Sequence, residues 1–526
     1  MNGFGWTSEH EAFRKAVRSF LVKEVAPHAE EWEAAGRIPR EIYLRMGDLG
    51  FLGITAPEEY GGAGADVLMA VAFLEELPRS RMGGFCASVS VQQFMATAHI
   101  AAAGSQALKR RYWEPSIRGA KVGALAITEP DAGSDVASLR TRAVREGDAY
   151  VVNGAKTFIT NGVSGDFYTM AVRTGGEGAE GLSLLVVDAD TPGVSVSRRL
   201  KKMGWHASDT AELAFQDARV PAENLVGEEG RGFELIVGAF ALERLCAAAI
   251  AVGSADLALE ETLAYMKSRT AFGRPLTRFQ ALTHRLADLA AQLEAARRLT
   301  YHCAGLVGEG RPAVTEAAMA KLVATELSVR MADACLQCYG GYGFMEEYPL
   351  ARFFRDARAA TLAGGTSEIM REIVARSLLE RAGAQERKAA PTAPSSQRRE
   401  PTMEPSENPA AQTPSAAEPW TVERIARSLP GRLRADKAEG WKSTFHYRLK
   451  NSEHPDWTVR IENGACTVEE GLAGSPDCIV EMKEETFLAI ETGKMNPQTA
   501  FLMGRVRVTN LTEMMQFIKA FRPLEG

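Results

Sequence analysis

Cysteine is scarce. Seven are scattered over 526 residues, and an odd, dispersed set makes no disulfide framework, which fits a reducing compartment. Cys335-Leu336-Gln337-Cys338 has the spacing of a metal-ligand pair, but no second pair follows and the segment reads as helix. A basic excess is missing too: the net charge of -6 argues against general nucleic-acid or anionic-membrane binding. Runs such as Arg198-Arg199-Leu200-Lys201-Lys202 are read as solvated loop faces. The opening residues, MNGFGWTSEHEAFRKAV, lack the charged-then-apolar pattern of a signal peptide, and Pro523 to Gly526 is no peroxisomal address, so a cytoplasmic location is expected. One long apolar run stands out, LIVGAFALERLCAAAIAVG from Leu235 to Gly253, interrupted by Glu243 and Arg244. Two central charges are costly in a bilayer, so the run is expected to be a helix buried in protein, without stable membrane insertion.

Ordinary globular composition (45% hydrophobic, 24% charged) and this length predict several folding units. Residues 1–122 carry apolar residues at helical spacing. From 123 to 228 the pattern changes to short β-branched or aromatic runs punctuated by Gly, Asn and Asp, such as YVVNGAKTFITN and LSLLVVD, which read as strands and turns. Helical patterns return over 229–383. Residues 384–417 are rich in Pro, Ser, Ala and Glu and nearly free of large apolar groups, so a disordered linker is expected. A further unit, 418–526, mixes helical patterns with strands.

Two places suggest chemistry. In TLAGGTSEIM, Thr361 to Met370, two glycines precede a Thr-Ser-Glu helix start, and bare backbone at a helix N-terminus suits close approach of a ligand. Nothing in Ala363-Gly364-Gly365 can act as a base, so a reactive group must come from elsewhere. Glu243 is the other place. Burial raises a carboxylate's pKa, and such a group is either half of a structural ion pair or a catalytic base. Residue pattern alone leaves both open. ITEPDAGSD (Ile127 to Asp135) and KTFITNG (Lys156 to Gly162) are hydroxyl-bearing turns that suit a phosphate or a flat polar ring, though each by itself reads equally as an ordinary turn.

Together with KKMGWHASDTAELAFQDARVP, SRTAFGRPL, QCYGGYGFMEEYPLARFFRDAR and GGTSEIMR, these motifs resemble acyl-CoA dehydrogenases in order and spacing, over residues 5 to 382. The resemblance implies an all-α N-terminal domain, a middle antiparallel β-barrel and a C-terminal four-helix bundle, assembled as a homotetramer with one FAD per subunit. It also implies that Thr128 and Ser134 line flavin and thioester, and that Phe158 and Thr160 flank the isoalloxazine ring. Arg269 and Phe272 would hold the FAD of a neighbouring subunit, with Gln337 and Gly341 on the opposite side and Thr366 and Glu368 near the diphosphate. Ala271 stands where many members carry a hydroxyl. Most members carry their glutamate base at position 364, where this chain has glycine. A branch that includes the long-chain and isovaleryl-CoA dehydrogenases places it on the ALER helix instead, at the position of Glu243, beside Arg244. The backbone N–H of Gly364 would still polarise the thioester carbonyl. Removing the α-proton and passing the β-hydride to flavin yields a trans-2-enoyl thioester. The bare 363–364 wall suits a medium or long, branched or bulky acyl group. Electron-transfer flavoprotein is the family's usual electron acceptor.

Residues 418–526 resemble the sterol carrier protein 2 family through GSPDCIVEMKEETFLAIETGKMNPQTAFLMGRVRV and LTEMMQFIKAF. That family is an α/β lipid-binding fold. Met482, Phe487, Phe501, Met503, Met514, Met515 and Phe517 would either line a lipid tunnel or pack a small core. Two other functional readings stand beside acyl-CoA oxidation: the same chemistry on carrier-protein-bound acyl groups, and a non-enzymatic lipid-binding protein on a flavin fold.

Overall fold

The computed structural model describes residues 5–389 and 420–524, apart from 435–436, 439, 451–453, 463, 493–494, 496–499, 501–504 and 523. Two compact units divide at Ser377 and Leu378.

The first unit opens with helices. Ser8–Phe20 (α1) is capped by Thr7, whose backbone N–H donates to His10 Nδ1 at 3.2 Å. Val67–Glu76 (α2) is capped by Asp66, which accepts from Met69 N–H at 2.8 Å. An eight-stranded sheet follows, made of Gly123–Ala126 (β1), Arg142–Glu146 (β2), Ala149–Thr160 (β3), Phe167–Arg173 (β4), Leu182–Asp188 (β5), Val194–Arg199 (β6), Thr210–Pro221 (β7) and Leu225–Val226 (β8). The order is β6-β7-β3-β2-β4-β5-β8, with β1 parallel to β4. The pairing is mostly antiparallel, and the path ends at β6 and β8, so the expected barrel is an open one. Strands β4 and β5 are buried on both faces. Tyr168, Met170, Leu185 and Val187 fill the inner core of the sheet, while Phe167, Ala171, Leu184 and Val186 pack with Tyr112 and Ile236 of the flanking helices.

The helical bundle consists of Gly232–Ser268 (α3), Gln280–Gly308 (α4), Val314–Tyr339 (α5), Pro349–Ala360 (α6) and Ser367–Ala389 (α7). Helix α3 is long and apolar enough to cross a membrane, but half of its most apolar window is buried within this fold. It crosses α2 with backbones in contact: a Cβ on Gly253 would lie 2.1 Å from the Glu75 carbonyl oxygen. Helix α7 continues past the boundary expected at 384. Ala384 to Ala389 favour helix, and the first proline to interrupt them is Pro391. The rest of the expected linker lies outside the described residues.

The second unit has a five-stranded sheet in the order Ala465–Glu470, Trp457–Glu462, Ser443–Lys450, Cys478–Lys483, Val506–Val508, in which the Ser443–Lys450 and Cys478–Lys483 pair is parallel. Helices Val422–Arg432, Glu484–Glu491 and Leu511–Ala520 contribute to its core. Phe445, Tyr447, Phe487, Phe517 and Phe521 form an aromatic cluster in that core, where Met482 is also buried and against which Met514 packs. Phe501, Met503 and the side chain of Met515 lie outside the described residues.

Candidate active site

The two-glycine turn is left-handed throughout. Gly364 has φ +63° and Gly365 φ +91°, conformations that side chains rarely adopt. A Cβ on Gly365 would lie 2.8 Å from Met370 Cε, whereas one on Gly364 would meet only Lys321 Cε, at 3.8 Å. The helix start expected after the glycines is present: Ile369 N–H donates to Thr366 Oγ1 at 3.3 Å as α7 begins. Hydrogen bonds from its own backbone N–H and from Thr366 hold the exposed Glu368 carboxyl below the usual range.

Glu243 and Arg244 lie on α3, both 6% exposed. Burial pushes Glu243 up to about 7, opposed only by Arg244. Among the described residues, Glu243 Oε1 and Arg244 Nε have no hydrogen-bond partner. The Arg244 guanidinium instead lies over the Phe240 ring, 4.9 Å from its centroid. Facing them from α5 is Lys321, which the sequence reading missed. It is 1% exposed, its ammonium donates to the Gly365 carbonyl, and burial together with the nearby Arg244 charge pulls it down to about 8. Its only sequence signal is a lysine in register with Ala317, Ala318, Ala324 and Thr325 on a buried helix face.

ITEPDAGSD and KTFITNG, far apart in the chain, are joined. Thr157 N–H donates to the Thr128 carbonyl at 2.9 Å. Below them Lys156 Nζ reaches the Ile127 carbonyl at 3.0 Å and Glu129 at 2.8 Å, and Glu129 also accepts the N–H groups of Arg140 and Thr141. Asn161 Nδ2 ties the strand end to the carbonyls of Ser88 and Gly123. A register shift between Lys156 and Ile159 makes a bulge, where Phe158 takes φ +59° and turns its ring outward, 69% exposed. Thr128 and Thr160 are half-buried beside it, and Ser134 is exposed on a turn whose Gly133 approaches Thr128.

A third group lies at the far end of α3. Arg269 follows that helix, and the hairpin of Thr270–Ala271 and Arg274–Pro275 turns through Phe272 (φ +50°) and Gly273 (φ +74°), both left-handed as a tight hairpin requires. Phe272 is 95% exposed at the tip. Arg269, Gln337, Gly340 and Gly341 line a groove of about 550 Å³ with Tyr265 and Tyr342. The fold thus gathers Arg269, Gln337 and Gly341 in one groove, whereas Gln337 and Gly341 were expected on the side opposite Arg269; the turn after α5 (Val314–Tyr339) returns beside the end of α3.

Residues 7–120, 124–218 and 230–379 match the N-terminal, middle and C-terminal domains of acyl-CoA dehydrogenase. The chain belongs to the acyl-CoA dehydrogenase family. Residues 423–522 match the SCP-2 sterol transfer family, so the dehydrogenase core is fused to a second, lipid-carrier-type domain. An acyl-CoA dehydrogenase of Bacillus subtilis (strain 168) is 41% identical over 375 residues, covering 71% of this chain and 98% of that protein. The mouse mitochondrial long-chain specific acyl-CoA dehydrogenase is 39% identical over 377 residues, covering 71% and 87%. The crystal structure of a probable acyl CoA dehydrogenase from Mycobacterium abscessus superposes with a TM-score of 0.70 at 46% identity, covering 72% of this chain and all of that one. The dehydrogenase is thus a flavin-dependent oxidoreductase acting on a CH–CH bond, with FAD as cofactor. Its residues fit that group. The exposed Phe158 ring offers a flat apolar face, and the glycine-lined groove beside Arg269 offers bare backbone and a cation to a phosphate.

Proposed function

We propose that the dehydrogenase desaturates acyl-CoA thioesters with Glu243 as its base, and that its substrates carry medium or long, branched or bulky acyl chains. The observation that carries this reading is the Glu243 carboxylate: buried, unpaired at Oε1, and raised to about 7, in a chain whose position 364 has no side chain. A structural ion pair would have satisfied that oxygen. A base near neutral pKa takes the α-proton efficiently at physiological pH. The Gly364 N–H binds the thioester carbonyl oxygen as enolate charge develops, and the Arg244 and Lys321 charges favour that anion. Thr128, Ser134, Phe158 and Thr160 would hold the flavin end of FAD. Thr366 and Glu368 would sit near its diphosphate, and Arg269, Phe272, Gln337 and Gly341 would serve the FAD of a neighbouring subunit in a homotetramer. FAD, when bound, accepts the β-hydride. Electron-transfer flavoprotein then takes the electrons.

The second unit is proposed to hold a lipid. Its aromatic interior contains a buried Tyr447 hydroxyl and a buried Trp457 indole N–H, neither with a partner among the described residues, which supports an apolar ligand that carries a hydrogen-bonding group. The test of the whole reading is anaerobic bleaching of the flavin by CoA thioesters from short to long and branched. Fast bleaching by the longer or branched members is expected. Bleaching by none of them would overturn it and favour carrier-protein-bound substrates.

A further inference from the structure

Lys321 lies outside every motif that led to the site, yet the fold brings it there. Burying an ammonium is costly unless a carboxylate neutralises it, and among the described residues no carboxylate pairs with Lys321. The charge that acts on it is Arg244, of like sign. Its hydrogen bond goes to the carbonyl of Gly365. That placement lowers stability, so it is expected to be retained for what it does to the turn.

The turn needs an anchor. Two consecutive glycines have the greatest backbone freedom to lose, and both are left-handed here. Hydrogen bonds hold the turn on either side, from Ala363 N–H to the Ala359 carbonyl and from Ser367 N–H to the Thr361 carbonyl. Among the described residues, no acceptor takes the N–H of Gly364. We infer that Lys321 is a positioning residue: its ammonium pins the Gly365 carbonyl, fixes the two-glycine turn, and so holds the free Gly364 N–H ready for a thioester carbonyl oxygen. This rests on the reading above for the identity of the oxygen, but not for the pinning of the turn.

The two parts are tested separately in the full-length, FAD-loaded protein. Lys321→Met keeps the length of the stem and removes the donor. Hydrogen exchange across 361–370 should speed up at least about tenfold while the rest of the bundle is unchanged. Flavin reduction at saturating thioester should slow by about 10–10²-fold, less than the loss of a whole oxyanion donor, with little change in thioester affinity. Lys321→Arg, which keeps a cationic donor, should recover part of both. Unchanged exchange and reduction in Lys321→Met would overturn the inference, as would equal damage by Met and Arg, which would make the residue mere packing. If Lys321→Met does not fold, Lys321→Gln carries the same comparison. A parent protein that no thioester reduces would sink the proposed chemistry and leave the exchange result to judge Lys321.

Discussion

Lys156 and Glu129 form an ion pair of 2.8 Å beneath the two flavin-side loops, with Lys156 fully buried and Glu129 nearly so. The same ammonium holds the Ile127 carbonyl, and the same carboxylate holds two backbone N–H groups. Breaking one partner of a buried pair leaves the other uncompensated, at a cost of about 3–5 kcal/mol. Lys156→Met should therefore lower the thermal midpoint and weaken FAD retention together, because Thr128 and Phe158 stand on that pair. Loss of FAD with no loss of thermal stability would show that the pair does not support the loops.

Glu243→Gln keeps shape and removes the proton acceptor. Flavin reduction should fall by about 10²–10⁴-fold with FAD and ligand still bound. In the parent the rate should climb as pH rises toward about 7, where the buried carboxyl ionises. The same group makes stability depend on pH. Its folded pKa is raised from 4.5, so between pH 4.5 and 7 the unfolded chain has released a proton that the folded chain retains. Stability conferred by the neutral form is complete below 4.5 and is lost as pH rises through 7, by up to about 3 kcal/mol. Glu243→Gln should remove that loss and exceed the parent's stability at pH 8 in denaturant unfolding. Parent and variant with equal reduction rates would make Glu243 merely structural.

Arg269→Ala should release FAD while leaving the helical bundle folded, if Arg269 and Phe272 serve a neighbouring subunit as proposed. Phe272 stands left-handed at the hairpin tip, 95% exposed, and a large apolar ring so exposed suits contact with another subunit. Sedimentation and the flavin-to-protein absorbance ratio test this together. A monomer that retains one FAD per chain would contradict it.

The core should end at Ala389 and not at 383, since α7 runs that far. A chain cut after Ala389 is expected to be a yellow, active enzyme on water-soluble thioesters. A colourless, insoluble product would show that the two units share an essential interface.

Much of this was legible in the sequence, and the omissions have a physical pattern. Helical and β periodicity are local, so the α, β, α order of the core was readable, as was the Thr366 cap. Glu243 was conspicuous because a charge inside LIVGAFALERLCAAAIAVG has few explanations. Lys321, Lys156 and Glu129 were not conspicuous, because a lysine or glutamate in an ordinary helix, strand or turn pattern is usually solvated. Their burial depends on which element packs over them, and that is tertiary information. The left-handed Phe158 and Phe272 were equally hidden, since positive φ is read from glycine and rarely from phenylalanine.

A carboxylate placed at position 364 tests whether the two-glycine turn faces the substrate's α-carbon. Gly364→Glu in the Glu243→Gln background places a carboxylate at position 364, but at φ +63°, where an L-residue is strained by about 1–2 kcal/mol. The new Cβ would lie 3.8 Å from Lys321 Cε, so the Lys321 ammonium is within reach of the introduced carboxylate. Two consequences follow from that neighbour. The carboxylate should ionise more readily than Glu243, which has only Arg244 to oppose its burial, so the recovered rate should persist below pH 7 where the parent's falls. The ammonium, drawn from the Gly365 carbonyl, should also loosen the turn, so recovery should be partial. It should appear with short acyl chains first, because the new side chain fills space that a bulky chain needs. Single-turnover reduction across chain length and pH reads both effects. No recovery with any chain at any pH would mean that position 364 does not face the α-carbon, and a pH profile identical to the parent's would mean that Lys321 does not reach the new group.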